Sequence, residues 1–194
     1  MIVWINGAFG SGKTQTAYEL HRRIKNSYVY DPENIGFFIR DNIPYEAKNG
    51  DFQNYYLWRS FNYEMLSYIS KNYDGIVIVP MTITNKQYYD EIVDKLSKEF
   101  KLKHLILSAT KETILKRLGR RFETKHSWAA QQIDRCIEAF SISIKEIVIQ
   151  TDNMSIYEVV HEIANQCNIK LDDDNRNKFQ KTIDRIITQY KHIR

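Results

Sequence analysis

The sequence predicts an α/β fold, a parallel five-stranded sheet flanked by helices. Two observations predict it. Apolar strand-like runs alternate with amphipathic helical stretches along the 194 residues, the order that strand–helix–strand units produce. In addition, the first strand-to-helix junction reads Gly7-Ala8-Phe9-Gly10-Ser11-Gly12-Lys13-Thr14. That is the full phosphate-loop pattern G-x-x-x-x-G-K-[ST], so the expected class is a P-loop NTPase.

The elements follow in order. Ile2-Val3-Trp4-Ile5 is the first buried strand, and beyond the loop Ala17, Leu20, His21 and Ile24 fall on one helical face. Ser27-Tyr28-Val29-Tyr30 reads as a second strand, stopped by Asp31-Pro32 because proline has no amide to donate. A helical stretch spans about 51–70, and Gly75-Ile76-Val77-Ile78-Val79 is a third strand closed by Pro80. The stretch 86–100 is helical, with Ile92, Val93, Leu96 and Phe100 on one face; His104-Leu105-Ile106-Leu107 is the fourth strand. A helix over 110–118 is broken by Gly119, and Ser127 caps another that runs to about 140. Glu146-Ile147-Val148-Ile149 is the fifth strand, and Ser155-Ile156-Tyr157-Glu158 has the form of a capping box. The polar string Asp172-Asp173-Asp174-Asn175 divides a domain over 1–171 from a C-terminal helix within 172–194.

Composition narrows the class. Hydrophobic residues make up 43% of the chain and charged ones 27%, which is globular rather than disordered. The net charge of +4 is matched by the tail alone, where Lys178, Lys181, Arg185, Lys191 and Arg194 oppose a single Asp184. The body is therefore near neutral, which argues against nucleic acid as a partner. No apolar run reaches the roughly 20 residues needed to span a bilayer. The chain opens directly into a strand without a basic leader, so a cytoplasmic location is expected. Cys136 and Cys167 are isolated, and His21, His104, His126 and His161 show no metal-ligand spacing.

The loop chemistry follows from its glycines. Gly7, Gly10 and Gly12 permit torsions that turn consecutive N–H groups inward as an anion nest, with the first helical turn adding its unpaired amides. Lys13 is expected on the β- and γ-phosphates and the Thr14 hydroxyl on Mg²⁺, so ATP and Mg²⁺ are the implied cofactors.

Further candidates sit just after the strands, where parallel sheets bind ligands. Asp31 is placed to act as base or metal anchor, or else it opens an Asp-Pro turn. The third strand ends Val79-Pro80-Met81-Thr82 without an acid, leaving that role to Asp31 or, through water, to Thr82. Arg117, Arg120 and Arg121 share one helical face beside Gly119, which suits an arginine-bearing lid that clamps phosphoryl oxygens; a basic helix end complementing its dipole has the same letters. Between strands two and three, Arg40 and Arg59 lie among dense aromatics, including Tyr55 and Trp58, that either line an acceptor pocket or fill core. Gln150-Thr151-Asp152-Asn153 contacts adenine or forms a strand-to-helix turn. Phe179, Ile183, Ile186, Ile187, Tyr190 and Ile193 span an arc of roughly 120°, so the tail either lies on an anionic membrane surface, docks on a partner, or packs on its own domain.

These strings resemble the TmrB family of tunicamycin-resistance proteins over nearly the whole chain. The resemblance rests on Trp4-Ile5-Asn6 leading into the phosphate loop, on Tyr28-Val29-Tyr30-Asp31-Pro32-Glu33, and on Leu57-Trp58-Arg59. It also rests on Ile78-Val79-Pro80-Met81-Thr82-Ile83, Ser127-Trp128-Ala129-Ala130, Gln132-Ile133-Asp134-Arg135-Cys136 and Thr151-Asp152-Asn153. The resemblance implies ATP binding at Gly7 to Thr14, protection against tunicamycin, and a fold similar to nucleoside monophosphate kinases. Tunicamycin is a uridine-containing, polyhydroxylated, acyl-tailed molecule, which would suit an aromatic pocket and a membrane-surface setting. Three functions are then expected to compete: phosphoryl transfer from ATP to the drug, ATP-dependent sequestration of the unmodified drug at the membrane, and an ordinary nucleoside or nucleotide kinase.

Overall fold

A computed structural model describes residues 1–192 except Phe122, Lys125, His126 and Lys145; Ile193 and Arg194 of the tail also lie outside the described residues. Five parallel strands run in the order β2-β3-β1-β4-β5. β1 (Ile2–Gly7) is central and wholly buried, between β3 (Ile76–Pro80) and β4 (Leu102–Ser108). β2 (Ser27–Val29) and β5 (Ile147–Gln150) are the edges. In register, Trp4 lies opposite Val79 and His104, while Gly7 lies opposite Leu107. The order reverses beside β1, so the carboxyl ends of β1, β3 and β4 form a crevice.

Strand alternation divides the core into two layers. Ile2 and Trp4 pack with Trp58, Leu66 and Leu96 on one face, and Val3 and Ile5 pack with Leu20, Val160 and Ile163 on the other. Each such fully buried side chain contributes roughly 1.5–3 kcal/mol. The first layer is covered by α3 (Tyr56–Asn72) and by α4 (Lys86–Tyr89), which continues through a π-helical turn, Asp90–Asp94, into α5 (Lys95–Glu99). The second is covered by α1 (Lys13–Arg22) and α9 (Ile156–Cys167). A smaller cluster behind the phosphate loop joins α6 (Lys111–Gly119), α7 (Trp128–Gln131) and α8 (Ile133–Ile142) through Leu118, Ile133 and the reduced Cys136.

The structure revises several boundaries. Helix α2 (Glu33–Asp41) has no counterpart in the sequence reading; its Gly36 faces the Phe52 ring so closely that an added Cβ would stand 2.5 Å from it. The helix expected from 51 begins instead at Tyr56, after a 3₁₀ turn, Phe52–Asn54, capped by the Asp51 carboxylate. The helix expected over 127–140 is two, parted at Gln132. Ser127 does cap its helix by accepting from the Ala130 amide, and Ser155 with Glu158 forms the full capping box. Gly119 closes α6 with a negative φ, so no glycine-specific torsion occurs there.

The last helix, α10 (Lys178–His192), lies along α1 by its polar side. Gln15 Nε2 donates to the Arg185 carbonyl at 2.9 Å, and Arg22 donates to Thr188 Oγ1 at 2.7 Å. Arg176 just before it pairs with the buried Glu19 and with Asp184. Its apolar residues point outward: Phe179 is 72% exposed and Tyr190 89%. Among the described residues, no helix is long and apolar enough to cross a membrane.

Candidate nucleotide site and acceptor cleft

The loop between β1 and α1 has a backbone that only glycine tolerates. Gly7, Gly10 and Gly12 take φ values of 144°, 82° and 103°. A Cβ on Gly7 would stand 2.6 Å from the Leu107 carbonyl oxygen, so β4 permits no side chain there. The floor of the loop is braced from below. Asn6 Oδ1 accepts from the Gly7 amide at 2.8 Å and from the Ile83 amide at 3.0 Å, and the Thr82 hydroxyl donates to the Gly7 carbonyl at 2.8 Å. Thr82 is therefore used in holding the loop, not directed at a metal.

Lys13 is buried, with Nζ donating to the Gly7 and Ala8 carbonyls at 2.9 and 3.0 Å and lying 5.4 Å from the centre of the Phe9 ring. Burial pushes its ammonium down from 10.5 to about 8, and the nearby Glu33 and Asp31 carboxylates act against that shift. Above the loop is a cavity of about 590 Å³ lined by Gly10, Gly12, Lys13, Thr14, Glu33 and Arg121. Burial also lowers the Arg121 guanidinium from its ordinary value. The cavity thus combines loop backbone with the cations Lys13 and Arg121, the hydroxyls of Thr14 and Ser127, and the carboxylates Glu33 and Glu123. The buried Ser11 hydroxyl, within the loop and beside an adjoining cavity, has no hydrogen-bond partner among the described residues, which fits a polyphosphate bound against the loop. Among those residues no three metal-ligating side chains cluster. A Mg²⁺ at Thr14 would accordingly take most of its oxygens from phosphate and water, the usual way this ion is held beside a nucleotide.

The three arginines of α6 and its end separate. Arg117 reaches Ser11 O at 3.3 Å, Thr151 Oγ1 at 3.0 Å and Thr151 O at 2.5 Å, tying the phosphate loop to the turn after β5. Arg121 faces the phosphate cavity, and Arg120 borders a second one, of about 340 Å³, that also holds Gly10 to Gly12, Thr151 and Ile156. Within the string 150–153, Thr151 is buried and donates to Ser108 O at 3.0 Å. Asp152 Oδ1 accepts from the Thr110 amide at 2.9 Å, so this turn joins the ends of β4 and β5.

On the other side of the loop lies a cavity of about 470 Å³ walled by Phe37, Arg40, Asp51, Phe52, Gln53 and Met81. It shares Phe9, Glu33 and Trp128 with the phosphate cavity, and the Phe9 and Trp128 rings meet edge to face at 4.8 Å. Arg40 lies 5.3 Å from the Phe37 ring centre, and Gln53 Nε2 is fixed on the Thr82 carbonyl at 2.8 Å.

Three residues named from the sequence as substrate contacts stand behind this wall and do not line it. Trp58 is wholly buried and its indole N–H donates to the Pro32 carbonyl at 2.9 Å. Arg59 pairs with Glu91 at 2.5 Å, donates to the Gln53 carbonyl at 2.7 Å and stacks on Tyr88. The Tyr55 hydroxyl accepts from the Asn49 amide. All three hold the turns that carry Glu33 and Gln53. Asp31 accepts from the Glu33 amide at 3.0 Å, closing the turn after β2, while Glu33 lines both cavities. Sequence reasoning passed over Glu33 because it chose the acid nearest the strand end. The string Asp31-Pro32-Glu33 was itself the signal, since an acid just after a proline marks the first turn of a helix.

The sheet order, the loop at the end of β1 and the cavities on either side of it define a P-loop kinase fold. Among solved structures the chain is similar to the tunicamycin resistance protein of Deinococcus radiodurans, with a TM-score of 0.72 and 29% identity over 89% of this chain and 99% of that one. The TmrB-family resemblance read from the sequence is thus met again in three dimensions. A gluconokinase from Sinorhizobium meliloti (TM-score 0.57, 17% identity, 86% of this chain and 90% of that one) shares the fold. So does a shikimate kinase from Bacteroides thetaiotaomicron (TM-score 0.57, 15% identity, 87% and 99%). Neither a family model nor a curated protein matches the sequence.

Proposed function

We propose that the chain binds ATP·Mg²⁺ at Gly7 to Thr14 and transfers the γ-phosphoryl group to a hydroxyl of an uncharged, tunicamycin-like nucleoside in the aromatic cavity. The observation that supports this is the sharing of Phe9, Glu33 and Trp128 by the two cavities, so that a phosphoryl donor in one would face an acceptor in the other. Loop amides and Lys13 would bind the β- and γ-phosphates, and Arg121 would offset charge as it spreads over the transferring group. Mg²⁺, held by the Thr14 hydroxyl and phosphate oxygens, would neutralise the same charge. Glu33 would take the acceptor's hydroxyl proton as the new oxygen–phosphorus bond forms and the bond to the β-phosphate oxygen breaks, releasing ADP. Asp31, through the Glu33 amide, positions that carboxylate.

Among the described residues, the acceptor wall sets Arg40 alone against Glu33 and Asp51, with Phe37 and Phe52 as flat faces. A monophosphate dianion needs more positive charge than that, whereas a nucleobase with neutral hydroxyls suits stacking and carboxylate acceptors. Mass spectrometry of tunicamycin after incubation with the protein and ATP·Mg²⁺ tests the reading: a gain of one phosphoryl group is expected, and an unchanged drug overturns it.

A second reading is ATP-dependent sequestration of unmodified drug. It is favoured by the acid-free end of β3, where Thr82 is engaged with Gly7. Tight binding of unchanged tunicamycin would select it, and turnover on nucleoside monophosphates would select an ordinary nucleotide kinase. In either drug-directed case we place the outward apolar face of α10, with Phe179, Ile186 and Ile187, on an anionic membrane surface, where an acyl-tailed drug also resides. Flotation with anionic liposomes tests this: binding unchanged in a Phe179→Glu, Ile186→Glu variant would refute it.

A further inference from the structure

The nucleotide site of a P-loop protein is ordinarily built by the loop and the elements after the strands, but here the C-terminal helix also reaches it. Gln189, Tyr190 and His192 line the phosphate cavity, and Arg185 with Gln189 lines the adjoining cavity beside Gly12 and Arg117. Gln189 is thus shared by both cavities, as Gly10, Gly12 and Arg121 are. The helix is held there by α1, the element that starts at the phosphate loop. Tyr18 stacks on His192 with ring centres 4.0 Å apart and hydrogen-bonds it at 3.0 Å. Gln15 binds the Arg185 carbonyl, and Arg22 binds Thr188.

The contacts are polar. Thr188 is the helix's one buried residue among those described, and Phe179, Ile186 and Ile187 are exposed. Such an interface is made of hydrogen bonds and ion pairs between partly solvated groups, each worth little alone. The helix walls the site and does not plug it, since cavities of about 590 and 340 Å³ remain with it in place.

We infer that α10 is a working part of the nucleotide site: Arg185 and Gln189 contact the bound nucleotide, and ATP and the docked helix stabilise one another. This rests on the ATP-binding reading above and assigns to that site a cation from outside the 1–171 domain. By linkage, whatever factor α10 contributes to ATP affinity, ATP returns to α10 docking. A charge-assisted hydrogen bond from Arg185 is worth about a tenfold change in affinity, and the reversed charge adds repulsion.

The test uses the full chain. ATP affinity is measured by calorimetry for the wild type, Arg185→Glu, Gln189→Ala and, as an exposed control on the same helix, Lys178→Glu. About a tenfold loss is expected for Arg185→Glu, a smaller loss for Gln189→Ala and less than twofold for Lys178→Glu, with circular dichroism confirming that each variant is folded. In parallel, ATP is expected to slow tryptic cleavage at Lys181 and Arg185 of the wild type. Equal affinity in all four proteins, tighter binding by Arg185→Glu, or cleavage that ATP leaves unchanged or hastens would overturn the inference. A wild type that binds no ATP would instead refute the reading on which it rests.

Discussion

The two walls of the cleft are made by different means. The phosphate wall is largely main chain: eight consecutive residues whose three glycines take φ values of 144°, 82° and 103°, with Lys13 and Thr14 closing the run. The acceptor wall is side chain, gathered from the phosphate loop, α2, the turn after it, the end of β3 and α7. A main-chain site tolerates almost any surrounding sequence but no change at its glycines. A side-chain site depends on braces far from the ligand, as Trp58 on Pro32 and Arg59 on Gln53 show. The phosphate wall should therefore fail at single positions and the acceptor wall by degrees.

The largest expected effect tests the junction between them. Glu33→Gln should lower turnover about 10²- to 10⁴-fold, the usual contribution of a positioned base, while ATP affinity stays within about threefold. Equal turnover in the variant would return the role of base to Asp31 or to water. Lys13→Met comes next: loss of a charge-assisted bond to phosphate should weaken ATP binding about 10- to 100-fold, and undiminished binding would overturn the phosphate-wall assignment.

Arg59→Met probes the brace. The Arg59–Glu91 pair is partly exposed, with Glu91 30% accessible, so solvent screening discounts it. Loss of the Gln53 carbonyl bond adds to that, and a destabilisation of about 1–3 kcal/mol is expected by thermal or urea unfolding. ATP affinity should hold while acceptor KM rises; an equal fall in both would mean the walls are not separable.

The mildest effect is in pH. The Lys13 ammonium titrates near 8 in the free fold and at 10.5 when exposed. Between these values the unfolded chain binds more protons, so this group makes stability rise with pH over that window. Bound polyphosphate favours the charged form, so ATP affinity should be level below pH 8 and fall by up to about tenfold per unit above it. Binding measured at pH 8.5 in buffers of different ionisation enthalpy should show proton uptake; none would mean Lys13 does not face the phosphates.

Strand positions were legible because buried parallel strands are short apolar runs, and all five fall within two residues of the expected ones. The capping residues Ser127 and Ser155 were legible because they act on amides three residues away. Helix α2 was not, because its two buried residues, Gly36 and Ile39, are too few to make a periodic stripe. The dense aromatics between β2 and β3 split between core and cavity by which turn they sit on: Trp58 went inward, while Phe37 and Phe52 faced the cleft.

The amino-acid sequence by itself determined the alternating sheet-and-helix class, the phosphate loop and the amphipathic character of the tail. Each is set by torsional freedom or apolar period among residues close in the chain. Only the tertiary structure decided that Glu33 rather than Asp31 faces both cavities, that Arg117 braces while Arg121 lines the phosphate cavity, and that α10 docks by its polar side beside the loop. Those choices turn on which groups meet across distant segments, where hydrogen bonding and burial, not local preference, select the partner.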